Sequence, residues 1–398
     1  MKSIIELKVK TNYTRQYKDK YPLITREAII NPDALTNEGG IFHLIDKDKQ
    51  FIAKGYCGKQ NKGLGWVLTQ EKAEQIDFNF FKTRILTAIN KRQSFYKDEN
   101  TNAFRIFNGE GDGVGGLTID YFDGYCLINW YSEGIYSYKE HIINALDEFG
   151  NYKAIYEKKR FDTKGKYMDD DDFVKGERGE FPITVKENGM SYSVYLNDGA
   201  MVGVFLDQRD VRRAIRDKYA KGKNVLNTFS YTGAFSVAAA LGGAAKTTSV
   251  DLAKRSKGKT IEQFSMNGID YEAQDIIVMD VFDYFRYANR KQLKFDMVIL
   301  DPPSFARSKK RTFSTAKDYP ALIKDTISIT EKNGIIVAST NNATFGMKKF
   351  KGFIEKAFKE VNTTYKILEE FSLPADFQVD RNFPQGNYLK VVVVERLK

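Results

Sequence analysis

The chain has 398 residues, 42% of them hydrophobic and 29% charged, and 62 Lys and Arg against 52 Asp and Glu leave a net charge of +10. That length is enough for two or three domains with ample core, and the basic excess points to a polyanionic partner such as nucleic acid. Two cysteines, Cys57 and Cys126, and two histidines, His43 and His141, exclude a disulfide framework and a Cys/His zinc cluster. No run approaches the roughly 18 apolar residues of a membrane span, and the opening Met1-Lys2-Ser3-Ile4-Ile5-Glu6 carries no apolar leader. A cytoplasmic protein without membrane contact is therefore expected.

Residues 1–75 alternate short apolar runs, at 41–45 and 51–56, with turn residues at Gly39-Gly40, 46–49 and Gly63-Leu64-Gly65. The pattern predicts a small β-rich domain. Residues 76–175 mix helix and strand. Helical spacing runs from Phe80 to Phe95 and from Ile135 to Phe149, with strands at 104–107 and 125–130 around a Gly-rich turn. The polar stretches 169–172 and 175–179 are expected to be a solvated linker rather than a metal site. From residue 180 to 398, apolar strands recur at 225–226, 248–250, 276–279, 297–300 and 335–337, with helical stretches between most of them. This is the rhythm of βα units building a parallel sheet, and strands near 365–368 and 389–394 complete it. The fold class is α/β, with domains at 1–75, 76–175 and 180–398.

The run Met297-Val298-Ile299-Leu300 ends in Asp301-Pro302-Pro303-Ser304-Phe305. Prolines have no N–H and a fixed φ, so the strand must stop there. The result is a rigid ledge at the carboxyl end of a strand, where open α/β sheets bind ligands. It presents the Asp301 carboxylate, the backbone carbonyls around Pro302 and the Phe305 ring, which can stack on a base. Lys309, Lys310 and Arg311 lie just behind as phosphate contacts. After the strand at 225–226 comes Asn227-Thr228-Phe229-Ser230-Tyr231-Thr232-Gly233, where Gly233 permits close backbone approach. This turn is not a G-x-G-x-x-G fingerprint, and the chain has no G-x-x-x-x-G-K-[ST] triphosphate-binding loop. Asp251, Asp280 and Asp301 end successive strands; a single one would be read as a helix cap, but three beside a Gly turn favour adenosine, through its ribose diol and adenine amine.

The segment 225–235, with Asp251, Asp280 and Asp301-Pro302-Pro303, resembles the class I S-adenosylmethionine-dependent methyltransferases. With Phe205-Leu206-Asp207-Gln208-Arg209-Asp210-Val211-Arg212 added, the chain looks like the bacterial large-subunit rRNA methyltransferases that carry an N-terminal PUA domain. Residues 102–105, 108–113 and 116–120 resemble that family's middle-domain signature. The resemblance spans nearly the whole chain. It implies a PUA-like domain, an α+β middle domain and a Rossmann-like catalytic domain with a mixed seven-stranded sheet. It also implies S-adenosyl-L-methionine as cofactor, lined by Asn227, Phe229, Tyr231, Gly233, Asp251, Asp280 and Asp301. Arg209 and Asp210 would lie near its methionine end or the incoming RNA, and 23S rRNA or a ribosome precursor would be the partner. The sequence specifies no interface, and a homodimer is among the assemblies open to it.

One branch of this family makes 5-methylcytosine, which needs a thiolate to add to the ring. The position where that nucleophile lies, just past the fifth strand, here reads Ala338-Ser339-Thr340-Asn341-Asn342-Ala343, and no cysteine follows Cys126. The Thr340-Asn341-Asn342 segment instead resembles the Ser-Asn-Asn of the branch that makes N7-methylguanine. Asn341 or Asn342 would read the guanine edge, although Asn is also common in turns. Lys348, Lys349 and Lys351 are further phosphate contacts in this reading. Methylation of an exocyclic amine, of cytosine by another route, and a catalytically silent RNA-binding assembly factor are the alternatives.

Overall fold

The computed structural model describes residues 4–60, 63–161, 172–199, 202–307 and 312–398. It divides into two compact units. The first comprises Met1–Ile183, Tyr195–Val202 and Ala375–Gly386; the second comprises Thr184–Val194, Gly203–Pro374 and Asn387–Lys398.

In the second unit the expected seven-stranded mixed sheet is present. Its strands are β1 (Asn224–Thr228), β2 (Lys246–Asp251), β3 (Asp275–Val278), β4 (Phe295–Leu300), β5 (Thr330–Thr340), β6 (Tyr365–Phe371) and β7 (Lys390–Arg396). The spatial order is β3-β2-β1-β4-β5-β7-β6. The first five strands in that order pair in parallel, and β7 pairs antiparallel with both β5 and β6. Among the described residues, five α-helices run between the strands: α1 (Ala234–Leu241), α2 (Lys254–Met266), α3 (Val281–Arg290), α4 (Thr315–Ile329) and α5 (Met347–Glu360).

The unbroken aliphatic runs have a direct physical cause, since both faces of the sheet are covered. Leu226, Val298, Leu300, Ile336, Val392 and Val394 pack with Phe285, Leu322 and Phe350 on one face. Val225, Met297, Ile299, Val337, Val391 and Val393 pack with Val211, Ile215, Phe235 and Ala239 on the other. At about 1.5–3 kcal/mol for each large aliphatic removed from water, these two layers are the main stabilisation of the unit. They also hold the carboxyl ends of β1, β2 and β4 at one edge.

The first unit contains two five-stranded sheets. The N-terminal one runs Ile5–Lys8, Ile41–Ile45, Phe51–Gln60, Gly63–Thr69 and Leu23–Thr25 in spatial order; the other uses Ala103–Asn108, Leu117–Phe122, Tyr125–Trp130, Ala154–Lys159 and Phe173–Gly176. Tyr56 and Trp66 of the former share a core with Phe81, Ile119 and Trp130. Among the described residues, no helix is long and apolar enough to cross a membrane.

Several local expectations change. Gly63-Leu64-Gly65 lies inside a strand, not a turn. The helix expected from Ile135 to Phe149 is two, Glu133–Tyr136 and Lys139–Phe149; just past the first, the Ser137 hydroxyl donates back to the Gly134 carbonyl at 2.7 Å. Of the expected linker, residues 169–171 lie outside the described residues, while Phe173–Gly176 forms an edge strand against Ala154–Lys159. An edge strand keeps one side in water, which is why its sequence reads as a loop. A hairpin of Ile183–Glu187 and Met190–Val194, absent from the sequence expectations, turns on Asn188 and Gly189, both with positive φ.

Candidate active site

The Gly turn after β1 is built from its backbone. Phe229, Tyr231 and Gly233 all have positive φ, at 55°, 51° and 80°. At Gly233 a Cβ would stand 2.6 Å from the Thr260 methyl, so only glycine fits. The turn is fastened to the end of β2, where the Asp251 carboxylate accepts from the Tyr231 N–H at 2.9 Å, the Ala253 N–H at 2.8 Å and the Ser256 hydroxyl at 3.0 Å. A carboxylate has about four acceptor positions, so Asp251 keeps capacity for a ligand hydroxyl. Asn227 is buried; its amide donates to Ser236, whose hydroxyl meets that of Ser249. Its role in the geometry is to tie β1 to α1 and β2.

Asp280 lies two residues beyond β3 and caps α3, with Oδ1 accepting from the N–H groups of Phe282 and Asp283 at 3.0 and 3.3 Å. The capping function weighed for a lone strand-end Asp is thus real at this position, and Oδ2 has no hydrogen bond among the described residues. The Phe229 ring stands edge-on to Phe282, which in turn packs on Phe313. A left-handed glycine turn, two carboxylates on neighbouring strands and an aromatic wall form a donor and acceptor set that fits an adenosine-bearing cofactor.

Asp301 follows β4 directly and is partly buried. Its Oδ1 accepts from the Gln208 amide at 3.2 Å, and the same amide donates to the Ser339 hydroxyl at 2.9 Å. Burial pushes the Asp301 carboxyl up to about 6, with Asp207 adding to the rise while the Ser339 hydroxyl, Arg212 and Gln208 oppose it. Pro302 is buried, and Phe305 is 62% exposed. Asn341 is exposed and accepts from the Ser304 hydroxyl at 2.5 Å, which joins the ledge to the end of β5.

The two asparagines divide their work. Asn342 is spent on an internal turn, its Oδ1 accepting from the N–H and hydroxyl of Thr344 at 2.9 and 2.7 Å. Asn341 is exposed and stands beside Ser304. Lys390, which carries no motif signal in the sequence, is 3% exposed and donates to the carbonyls of Asn342 and Tyr388 at 2.9 and 2.6 Å. Burial lowers its ammonium to about 8.

Gln208, within the 205–212 motif, links Asp301 to Ser339. Arg209 is 3% exposed, so its side chain is packed inside the unit and not displayed on the surface. Asp210 pairs with Arg213 at 3.3 Å. Arg212, the last residue of the 205–212 motif, is buried in a two-pronged pair with Glu187, at 2.7 Å for each prong. Lys309, Lys310 and Arg311 lie outside the described residues. Lys348 and Lys349 are exposed, and Lys351 pairs with Glu370 at 2.8 Å.

A family model described as S-adenosylmethionine-dependent methyltransferase matches residues 105–386, and one described as a PUA-like domain matches residues 7–70. The chain is 62% identical to the provisionally named ribosomal RNA large subunit methyltransferase YwbD of Bacillus subtilis, over 98% of this chain and 99% of that protein. It is 30% identical to ribosomal RNA large subunit methyltransferase I of Alteromonas mediterranea, over 96% of each. Among solved structures, a provisionally named methyltransferase, SMU.776, complexed with SAH, superposes with a TM-score of 0.91 at 39% identity, over 98% of this chain and 100% of that one.

Proposed function

The chain belongs to the S-adenosylmethionine-dependent methyltransferase family, and from that membership we propose that it methylates large-subunit ribosomal RNA at guanine N7. The names of the relatives, together with the basic charge, support ribosomal RNA as substrate. The observation that carries the choice of atom is the chemistry next to Asp301. Where a cytosine C5 enzyme needs a thiol, this chain has Asn341 held against Ser304. Cys57 and Cys126 are both buried in the other compact unit, and burial pushes their thiols up to about 11 and about 12. Neither is a thiolate at neutral pH.

When bound, S-adenosylmethionine supplies an electrophilic methyl group. Phe229, Gly233, Asp251 and Asp280 would hold it. Guanine N7 carries its own lone pair, so the protein needs to orient the base and not to activate it covalently. In this reading Phe305 stacks on the base, Asn341 reads its edge, and Asp301 accepts from its N–H groups. Methylation at N7 leaves positive charge on the ring, and an ionised Asp301 nearby stabilises it.

The raised Asp301 carboxyl gives a pH signature. The ionised form prevails above about 6 and is lost as pH falls through that value. Turnover at saturating cofactor is therefore expected to rise through a midpoint near 6, and a rate flat from about pH 5 to 8 would contradict the role given to Asp301. Mapping of ribosomal RNA from a deletion strain tests the substrate, because an unchanged modification map removes it. A second reading, methylation of an exocyclic amine, is favoured by the same raised carboxyl, which suits taking a proton from nitrogen.

A further inference from the structure

We infer that Gln208 is a positioning residue for the reaction, one whose amide clamps the Asp301 carboxylate to the end of β5. The inference rests on the reading above, in which Asp301 faces the target base. The Nε2 group makes two hydrogen bonds, to Asp301 Oδ1 at 3.2 Å and to Ser339 Oγ at 2.9 Å. The residue is 4% exposed, and its Oε1 has no hydrogen bond among the described residues. A buried acceptor without a partner is unfavourable, so the amide does not sit this way for its own sake. With Nε2 turned toward it, the carboxylate gains a donor, which favours the ionised form of Asp301.

The other groups acting on that carboxyl are Asp207, which disfavours its charge, and Arg212 and the Ser339 hydroxyl, which favour it. From α4, the Tyr319 hydroxyl donates to the Ser339 carbonyl at 2.7 Å, and Asp301 helps to keep that phenol protonated. Gln208 is thus one of three groups that oppose burial and Asp207.

Two variants test the inference. Gln208→Glu keeps the shape but sets a second carboxylate against Asp301, and Gln208→Leu only removes the donor. The Asp301 midpoint is read in two ways: by NMR of protein labelled at the aspartate carboxyl carbons, with the signal assigned by its loss in Asp301→Asn, and by the pH profile of kcat on ribosomal RNA. Both variants are expected to move the midpoint upward from about 6, Gln208→Glu by at least about one pH unit. Turnover is then recovered at high pH. A folded variant whose midpoint stays at the wild-type value, with turnover lowered equally at every pH, would make Gln208 merely structural and overturn the inference. If the wild-type protein transfers no methyl group to ribosomal RNA, the substrate reading fails. The carboxyl titration still decides the role of Gln208.

Discussion

Asp301→Asn is expected to lower methyl transfer by about a hundredfold or more while changing RNA affinity by less than about threefold. The substitution is close to isosteric, so the strand end, Pro302 and the Gln208 contact keep their places. What would be lost, on the proposed N7 reaction, is the negative charge beside a base that becomes positive as it reacts. RNA affinity depends chiefly on phosphate contacts, and a carboxylate has no donor to offer a phosphate. The low-pH loss of turnover should disappear with the carboxyl, because nothing titrates there in the variant. Single-turnover transfer and fluorescence anisotropy on the same RNA separate the two effects. A parallel loss of transfer and affinity would mean that Asp301 holds the ledge together and does not act on the base.

Arg212→Ala is expected to cost about 3–5 kcal/mol of stability, because it leaves the Glu187 carboxylate buried without its partner. Arg212 and Glu187 are each 1% exposed, and the pair is closed by a third donation, from Arg212 to the Phe205 carbonyl at 2.7 Å. The guanidinium also lies against the rings of Tyr192 and Phe235. Phe205 opens the segment that carries Asp207 and Gln208, so this pair braces the segment running to Asp301. The double variant Arg212→Met with Glu187→Leu should lose much less than Arg212→Ala alone, since no unpaired charge remains. Urea denaturation measures both. A loss below about 1 kcal/mol for Arg212→Ala would place the pair in the weak class typical of solvated surfaces.

The catalytic unit was legible in the sequence where one physical constraint dominates. Continuous aliphatics marked β4 and β5 because both sheet faces are covered. Asp301-Pro302-Pro303 marked a strand end because proline cannot continue one. Gly233 marked the turn because no other residue can take its φ beside Thr260. Constraints that depend on distant partners were not legible. Arg212 looks like any helix-face arginine until the strand carrying Glu187 folds against it. That hairpin did carry a local signal in Asn188-Gly189, the preferred pair for a tight two-residue turn, set between alternating Val185 and Tyr192, Val194. Asn341 and Asn342 are indistinguishable in the sequence. Thr344 decides which of them is used up in the turn. Gln208 could not be ranked above its neighbours, because both of its partners come from strand ends far along the chain.

The central claim is that this ledge holds a guanine whose own N7 accepts the methyl group. The measurement that tests it most directly is nucleoside mass spectrometry of large-subunit ribosomal RNA incubated with the protein and isotope-labelled S-adenosylmethionine. The label is expected in 7-methylguanosine, and about a hundredfold less of it when Asp301→Asn replaces the wild type. Label in 5-methylcytidine, or in a nucleoside methylated on an exocyclic amine, would contradict it.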